Sequence, residues 1–387
     1  MTSIEEFLRD NRAALDGVFE AIDNSRDALI ERVRVTAEIP APTFDETRRT
    51  EYATETFSGA GLSDGHRLPK GSVLGFTGSA KSPIALLLAA HIDNVFPLDT
   101  DLTTRVDGNT LHGPGTGDNA ANVAALITLA GIFKDLGVKP AANVAFAATV
   151  REEGLGNLGG MAEVLDELGD RVAAAIAVDG MMSSLMHRSQ AISRYGITVK
   201  CAGGHSFNNF GVPSAIHEVA NIVASLAAVE VPVEPRTTFN VGKIHGGRSV
   251  NAIAQECEAE VDLRSLEQET LDELESKFLS IAVAVRREGV EVITRDIGRK
   301  PAAAIDPGHD LVQTAVQSAK HVGIEPELTA LSTDAAMSLS RGIPSISFGT
   351  YAGKGTHTLE ENIDLDSLTT GLKRLALTVL AISGVEA

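Results

Sequence analysis

The sequence predicts an α/β protein: a mostly parallel sheet with helices on both faces, interrupted by an inserted ferredoxin-like domain. Three observations carry this. Continuous apolar runs of strand length alternate with helical patterns in the first half of the chain. The middle changes to a strand, helix, strand, strand, helix, strand order, the split βαββαβ pattern. The first pattern then resumes after Lys300. The expected division is therefore a discontinuous outer domain, 1–190 with 300–387, around an insert at 191–299.

Ile4, Phe7, Leu8, Leu15, Val18, Phe19 and Ile22 recur at helical spacing, which predicts an opening amphipathic helix. A second helix is expected through Leu29–Val35, before the breakers Pro40 and Pro42. Buried parallel strands are read at Ile84–Ala90, Asn143–Val150, Ala173–Val178 and Ile343–Phe348, with helices at Asn122–Leu136 and Met161–Leu168. In the insert, strands are expected at Ile192–Cys201, Thr237–His245, Ala254–Arg264 and Val290–Asp296, with helices at Ser214–Val229 and Glu267–Arg287.

A chain of 387 residues exceeds one simple core, and 43% apolar against 22% charged residues fits a globular protein. The net charge of −19 argues against nucleic acid or an anionic membrane as partner. No apolar run reaches the length of a membrane span; Ile84–Ile92 is among the longest. The start, Met-Thr-Ser-Ile-Glu-Glu-Phe, is acidic where a secretory signal is basic. Two cysteines, Cys201 and Cys257, make no disulfide scaffold, and a cytoplasmic enzyme is the simplest expectation.

The chemistry lies past the carboxyl ends of the predicted strands, where open α/β sheets place their sites. His91-Ile92-Asp93 follows the first run, and alternation puts His91 and Asp93 on one face, so the aspartate can hold the imidazole through its second nitrogen. The glycine-rich loop His112–Gly117 delivers Asp118, which locally could equally cap the helix that follows. Glu152 and Glu153 end the second run and point to opposite sides; Asp179 closes the third; His357 follows the fourth. Each is modest alone. Together they supply nitrogen and oxygen donors for two divalent ions about 3.5–4 Å apart, zinc before cobalt or manganese. One glutamate is left over as a general base on water.

Those residues resemble, in order and over nearly the whole chain, the co-catalytic di-zinc metallopeptidases that include peptidase T, carboxypeptidase G, aminoacylase, acetylornithine deacetylase and succinyl-diaminopimelate desuccinylase. The resemblance implies that His91 and Asp179 bind one zinc, Glu153 and His357 the other, and Asp118 both. It makes Asp93 the orienting residue and Glu152 the base. It also implies that the insert is a lid and homodimerisation domain. There Gly203-Gly204-His205-Ser206 carries a histidine that stabilises the tetrahedral intermediate, Asn251 contacts substrate, and Arg264 grips a substrate carboxylate. Ser332 and Thr333 match a loop lining the site. The chain departs from the family pattern at Asn94 and at Asn119-Ala120-Ala121, none of which is a ligand position.

The expected reaction is hydrolysis of an amide bond in a small peptide, with an N-acyl amino acid as the second substrate class. A non-catalytic metal-binding protein would need a lost base or ligand, and every such position is filled. Neither Ser206 nor Ser332 lies in a nucleophile-elbow pattern, which disfavours a serine hydrolase.

Overall fold

The computed structural model describes residues 4–386. The chain separates into two compact units: one comprises the residues up to Ser189 and those from Ala304 onward, the other Gln190–Ala303.

The first unit is built on a sheet whose centre is four adjacent parallel strands in the order Val144–Thr149, Leu86–His91, Ala175–Ala177, Ser345–Ser347. These are the four apolar runs of the sequence; three are shorter than expected, and the run read as Ile84–Ala90 is a strand over Leu86–His91. Pairing puts His91 opposite Thr149, so those two strands end level, while Ala177, opposite Ala89, ends its strand two residues earlier. Antiparallel strands Val73–Phe76 and Ser63–Arg67 extend one side, and Ser184–Ser189 the other.

Both faces are covered, and the central strands are buried at every position, with Leu86–Ala90 and Val144–Ala148 apolar throughout rather than at alternate residues. Leu86, Leu88 and Ala90 join a core with Leu126 and Phe133 of helix Asn122–Leu136 and with Leu372 and Leu380 of helix Leu365–Ser383. Leu87 and Ala89 join the opposite core with Met161, Val164 and Leu165 of helix Gly159–Leu168. Each buried leucine contributes roughly 1.5–3 kcal/mol.

The opening segment differs from the single helix its spacing suggests. It forms two, Ile4–Asp10 and Arg12–Asn24. At the break, Asn11 leaves helical geometry and its side-chain amide donates to the Phe7 carbonyl at 3.0 Å. A local side-chain bond of this kind competes with the helix ladder while leaving the apolar spacing intact.

The second unit is a four-stranded antiparallel sheet in the order Thr237–Gly246, Glu256–Ser265, Ala191–Cys201, Val290–Lys300. Numbered along the unit this is 2-3-1-4, the ferredoxin-like arrangement. Helices Ala215–Ala227 and Gln268–Ala284 bury Val219, Ile222, Leu271, Leu274 and Phe278 against Ile197, Val199, Val261 and Leu263. The strand expected at Ala254–Arg264 runs over Glu256–Ser265, and a separate short strand before it, Ala252–Ile253, pairs with Gly204–His205. No helix among the described residues is long and apolar enough to cross a membrane.

Candidate active site

Four of the sequence-predicted residues leave three adjacent strands at one end of the sheet. His91 is the last residue of Leu86–His91, Glu152 and Glu153 follow Val144–Thr149, and Asp179 follows Ala175–Ala177. Asp118 arrives on the loop before helix Asn122–Leu136, and His357 on the turn after Gly353–Lys354, with φ 65°. All meet in one place.

Asp118 stands between two sets of donors. Its Oδ1 is 3.1 Å from His91 Nε2, which is itself 3.7 Å from Asp179 Oδ1. Its Oδ2 is 3.0 Å from His357 Nε2, which is 2.8 Å from Glu153 Oε1. Ligand atoms of His91, Asp118 and Glu153 lie within 4.8 Å of one another.

The His91 ring is oriented from behind. Its Nδ1 is 3.1 Å from the Asp93 carbonyl and 3.6 Å from Asp93 Oδ1. Both are acceptors, so Nδ1 carries a proton, and Nε2 is the nitrogen that faces Asp118 and Asp179. The closer partner is thus the main chain of Asp93. Its carboxylate serves the neighbouring loop: Oδ1 accepts the Glu152 N–H at 3.0 Å, and Oδ2 accepts the Glu153 N–H at 3.0 Å and the Thr43 hydroxyl at 2.9 Å.

The electrostatics fit a cation. Burial alone would lower the His91 pKa, but the Asp118, Asp179 and Asp93 carboxylates hold it well above the usual histidine range. Asp118 and Glu153 push His357 up to about 10. Burial would raise Asp118, yet His357 and His91 hold it well below the usual carboxylate range. Asp118 Oδ1 is buried and accepts no hydrogen bond, even with His91 Nε2 close by. Imidazole nitrogens and carboxylate oxygens converging on such an atom are a donor set for divalent metal.

Several residues that build the site were not singled out from sequence. Glu361, 1% exposed, accepts the backbone N–H groups of Gly115, Gly117 and Asp118. Burial and the nearby Asp118 charge push its carboxyl up to about 7 against those bonds. Asp334, also buried, accepts the Thr149 hydroxyl at 2.5 Å, and burial raises it to about 6. Glu46 accepts from Phe44 N–H and Arg151 N–H, at the loop leading into Glu152. The available signal for Glu361 was its position four residues after His357, for Asp334 its place beside Ser332 and Thr333. Of those two, Thr333 is buried with its hydroxyl 3.3 Å from Ala335 N–H, and Ser332 Oγ is buried without a partner among the described residues.

The remaining candidates belong to the second unit. His205 is exposed, and its Nδ1 accepts the Phe207 N–H at 3.2 Å, which leaves the ring proton on Nε2. Asn251 Oδ1 accepts the Ser249 hydroxyl at 2.7 Å. Arg264 is held by Asp262, with Nε at 2.6 Å. Beside His357 in the first unit runs an open groove of about 820 Å³, lined by Phe96, Pro97, Asp99, Pro114 and Leu359 among others.

A parallel sheet delivering a histidine–carboxylate cluster at its carboxyl edge, with a ferredoxin-like insert, defines the class of metal-dependent hydrolases. Residues 87–381 match the family described as Peptidase family M20/M25/M40, and the chain belongs to it. The structure is similar to that of a tripeptidase from Staphylococcus aureus, with TM-score 0.76, 21% identity, and 92% of this chain and 98% of that one covered. It is also similar to a dinuclear metal-binding peptidase of the M20 family from Bacillus subtilis, with TM-score 0.64, 16% identity, and coverage of 93% and 99%. In sequence the chain is 26% identical over 323 residues to acetylornithine deacetylase of Pectobacterium carotovorum, covering 77% of this chain and 79% of that protein. The protein is therefore an M20-family hydrolase with a site for divalent metal.

Proposed function

We propose that this hydrolase cleaves the amide bond of small peptides, using two divalent ions, zinc by preference. The observation that carries the reading is Asp118, whose two oxygens face His91 with Asp179 on one side and His357 with Glu153 on the other. These five residues would hold the pair, with Asp118 between the ions. When bound, the ions polarise the scissile carbonyl and acidify the attacking water. Glu152, buried next to Glu153 and fixed through its backbone by Asp93, takes the proton from that water and returns it to the leaving amine. Water adds across the C–N bond, giving a carboxylate and an amine. His205, with its proton on Nε2, is suited to donate to the oxyanion; Asn251, Arg264, Ser332 and Thr333 are assigned to substrate contact.

The second reading is an N-acyl amino acid deacylase with the same site, favoured by the acetylornithine deacetylase likeness. We assign the inserted unit the role of lid and homodimerisation domain and the protein a cytoplasmic setting. The test is amine release from a free leucine-containing tripeptide and from N-acetyl-leucine by the zinc- or cobalt-loaded enzyme. The peptide is expected to be cleaved, and cleavage of the acetylated compound alone would make the protein a deacylase. Glu152→Gln should keep its metal content and lose about 10²–10⁴-fold in kcat. Appreciable turnover by that variant would remove Glu152 as the base.

A further inference from the structure

We propose that Glu361 is a positioning residue that presets Asp118 for sharing between two ions before any metal arrives. The inference rests on the dinuclear reading above and concerns how that geometry is built. Within one loop the Glu361 carboxylate accepts three backbone N–H groups: Gly115 at 2.7 Å on Oε2, Gly117 at 3.0 Å and Asp118 at 2.8 Å on Oε1. Its own carbonyl accepts a fourth, the Gly113 N–H at 3.0 Å. The loop has no helical ladder of its own at these positions, since Asp118 and Asn119 leave helical φ/ψ and Gly115 sits at φ 71°. One residue, through its side chain and its carbonyl, thus replaces the missing backbone partners of Gly113, Gly115, Gly117 and Asp118.

The same residue fixes the other half of the site. Glu361 closes the turn that carries His357, where the Thr358 N–H donates to the Gly355 carbonyl and the Glu361 N–H to the Thr358 carbonyl. The loop of Asp118 and the loop of His357 are therefore tied at one buried point, and the two side chains come within 3.0 Å. A neutral cap could satisfy some of these N–H groups without placing a second carboxylate beside Asp118. Retaining a charge there is reasonable where cations bind opposite, because outer partners orient a ligand carboxylate and strengthen its field.

The test uses cobalt titration of the full chain, read by absorbance and by magnetic coupling between the two ions, with Glu361→Gln and Glu361→Asp. In Glu361→Gln, the amide oxygen can accept Gly117 and Asp118, but the amide nitrogen then opposes the Gly115 N–H. The wild type should bind two coupled ions. The variants should keep the first, bind the second about 10- to 100-fold more weakly, and lose the coupling signal. Two ions bound equally well and coupled in the variants would overturn the assignment; fewer than two on the wild type would overturn the dinuclear reading instead. Should the variants fail to fold, amide exchange on the metal-free wild type decides. Gly115, Gly117 and Asp118 are expected to be protected like the strand Leu86–His91, and free exchange would overturn the proposal.

Discussion

Asp93→Asn changes one atom of a side chain that is 0% exposed and already committed to three donors. Two placements of the amide are possible. With its oxygen at the Oδ2 position, the Glu153 N–H and the Thr43 hydroxyl keep their acceptor, but the amide nitrogen meets the Glu152 N–H donor to donor. With the oxygen at Oδ1, the Glu152 bond survives and the Glu153 N–H is opposed instead; Thr43 can rotate to accept. Either way one buried backbone N–H loses its partner, which costs about 1–3 kcal/mol. The bonds that remain pass from charged to neutral acceptors and weaken by about half, roughly 1 kcal/mol more. The expected loss is therefore about 2–4 kcal/mol in the transition of the unit containing Asp93, measured by urea unfolding in chelator.

Activity should fall further than stability suggests. Glu152 and Glu153 both hang by their backbones from this carboxylate, so the proposed base and one proposed ligand shift together. A displacement approaching 1 Å costs on the order of 10²-fold in rate. Loss of kcat at unchanged fold, with metal content measured in parallel, separates this from simple unfolding. A variant within about 1 kcal/mol in stability and threefold in kcat of wild type, margins set against the effects just derived, would refute the reasoning.

Two buried arginines should differ in what their loss costs. Arg49 donates to the carbonyls of Ile39, Ile92 and Ala37 at 2.8–3.0 Å, so Arg49→Met strands three acceptors and should cost about 3 kcal/mol or more by denaturant melts. Arg374 lies over the Phe348 ring, and its Nε and Nη2 have no partner among the described residues; burial lowers its pKa to about 9. Its Nη1 donates to the Met182 carbonyl, so Arg374→Met strands one acceptor rather than three and should cost about 1–3 kcal/mol, less than Arg49→Met; an equal loss would show partners for Nε and Nη2. Gly349→Ala would set a Cβ 1.5 Å from the Gly180 carbonyl oxygen, beside Asp179, so soluble yield and Tm should both drop, and a wild-type Tm would contradict the packing. Chelation should lower Tm reversibly, since ion at about 100 times its Kd contributes about 2.7 kcal/mol; an unchanged Tm would argue against a tight site.

What the sequence discloses and what it hides divide along a physical line. Apolar runs such as Leu86–His91 and the helix Asn122–Leu136 declare themselves because burial on both faces demands continuous apolar character. The candidate ligands at strand ends follow, since the sheet brings the ends together. Helix Thr47–Gly59 goes unread because four of its positions are threonine and two of its buried ones are Arg49 and Thr50, so no apolar stripe marks it. The small sheet of Arg105–Asp107, Thr110–His112, Gly353–Lys354 and Asn362–Asp364 has strands too short for alternation to register.

Glu361 and Asp334 are hidden for a deeper reason. A ligand is recognised by its chemical type, but a residue that holds a ligand's backbone needs only an acceptor in the right place. Glutamates such as Glu360 and Glu361 are adjacent and alike in sequence; one is exposed and the other accepts three N–H groups. The distinction comes from which strand precedes them and where the chain returns. Support of this kind is therefore a property of topology, and it becomes legible only when the backbone hydrogen bonds of Gly113–Asp118 are traced to their partners.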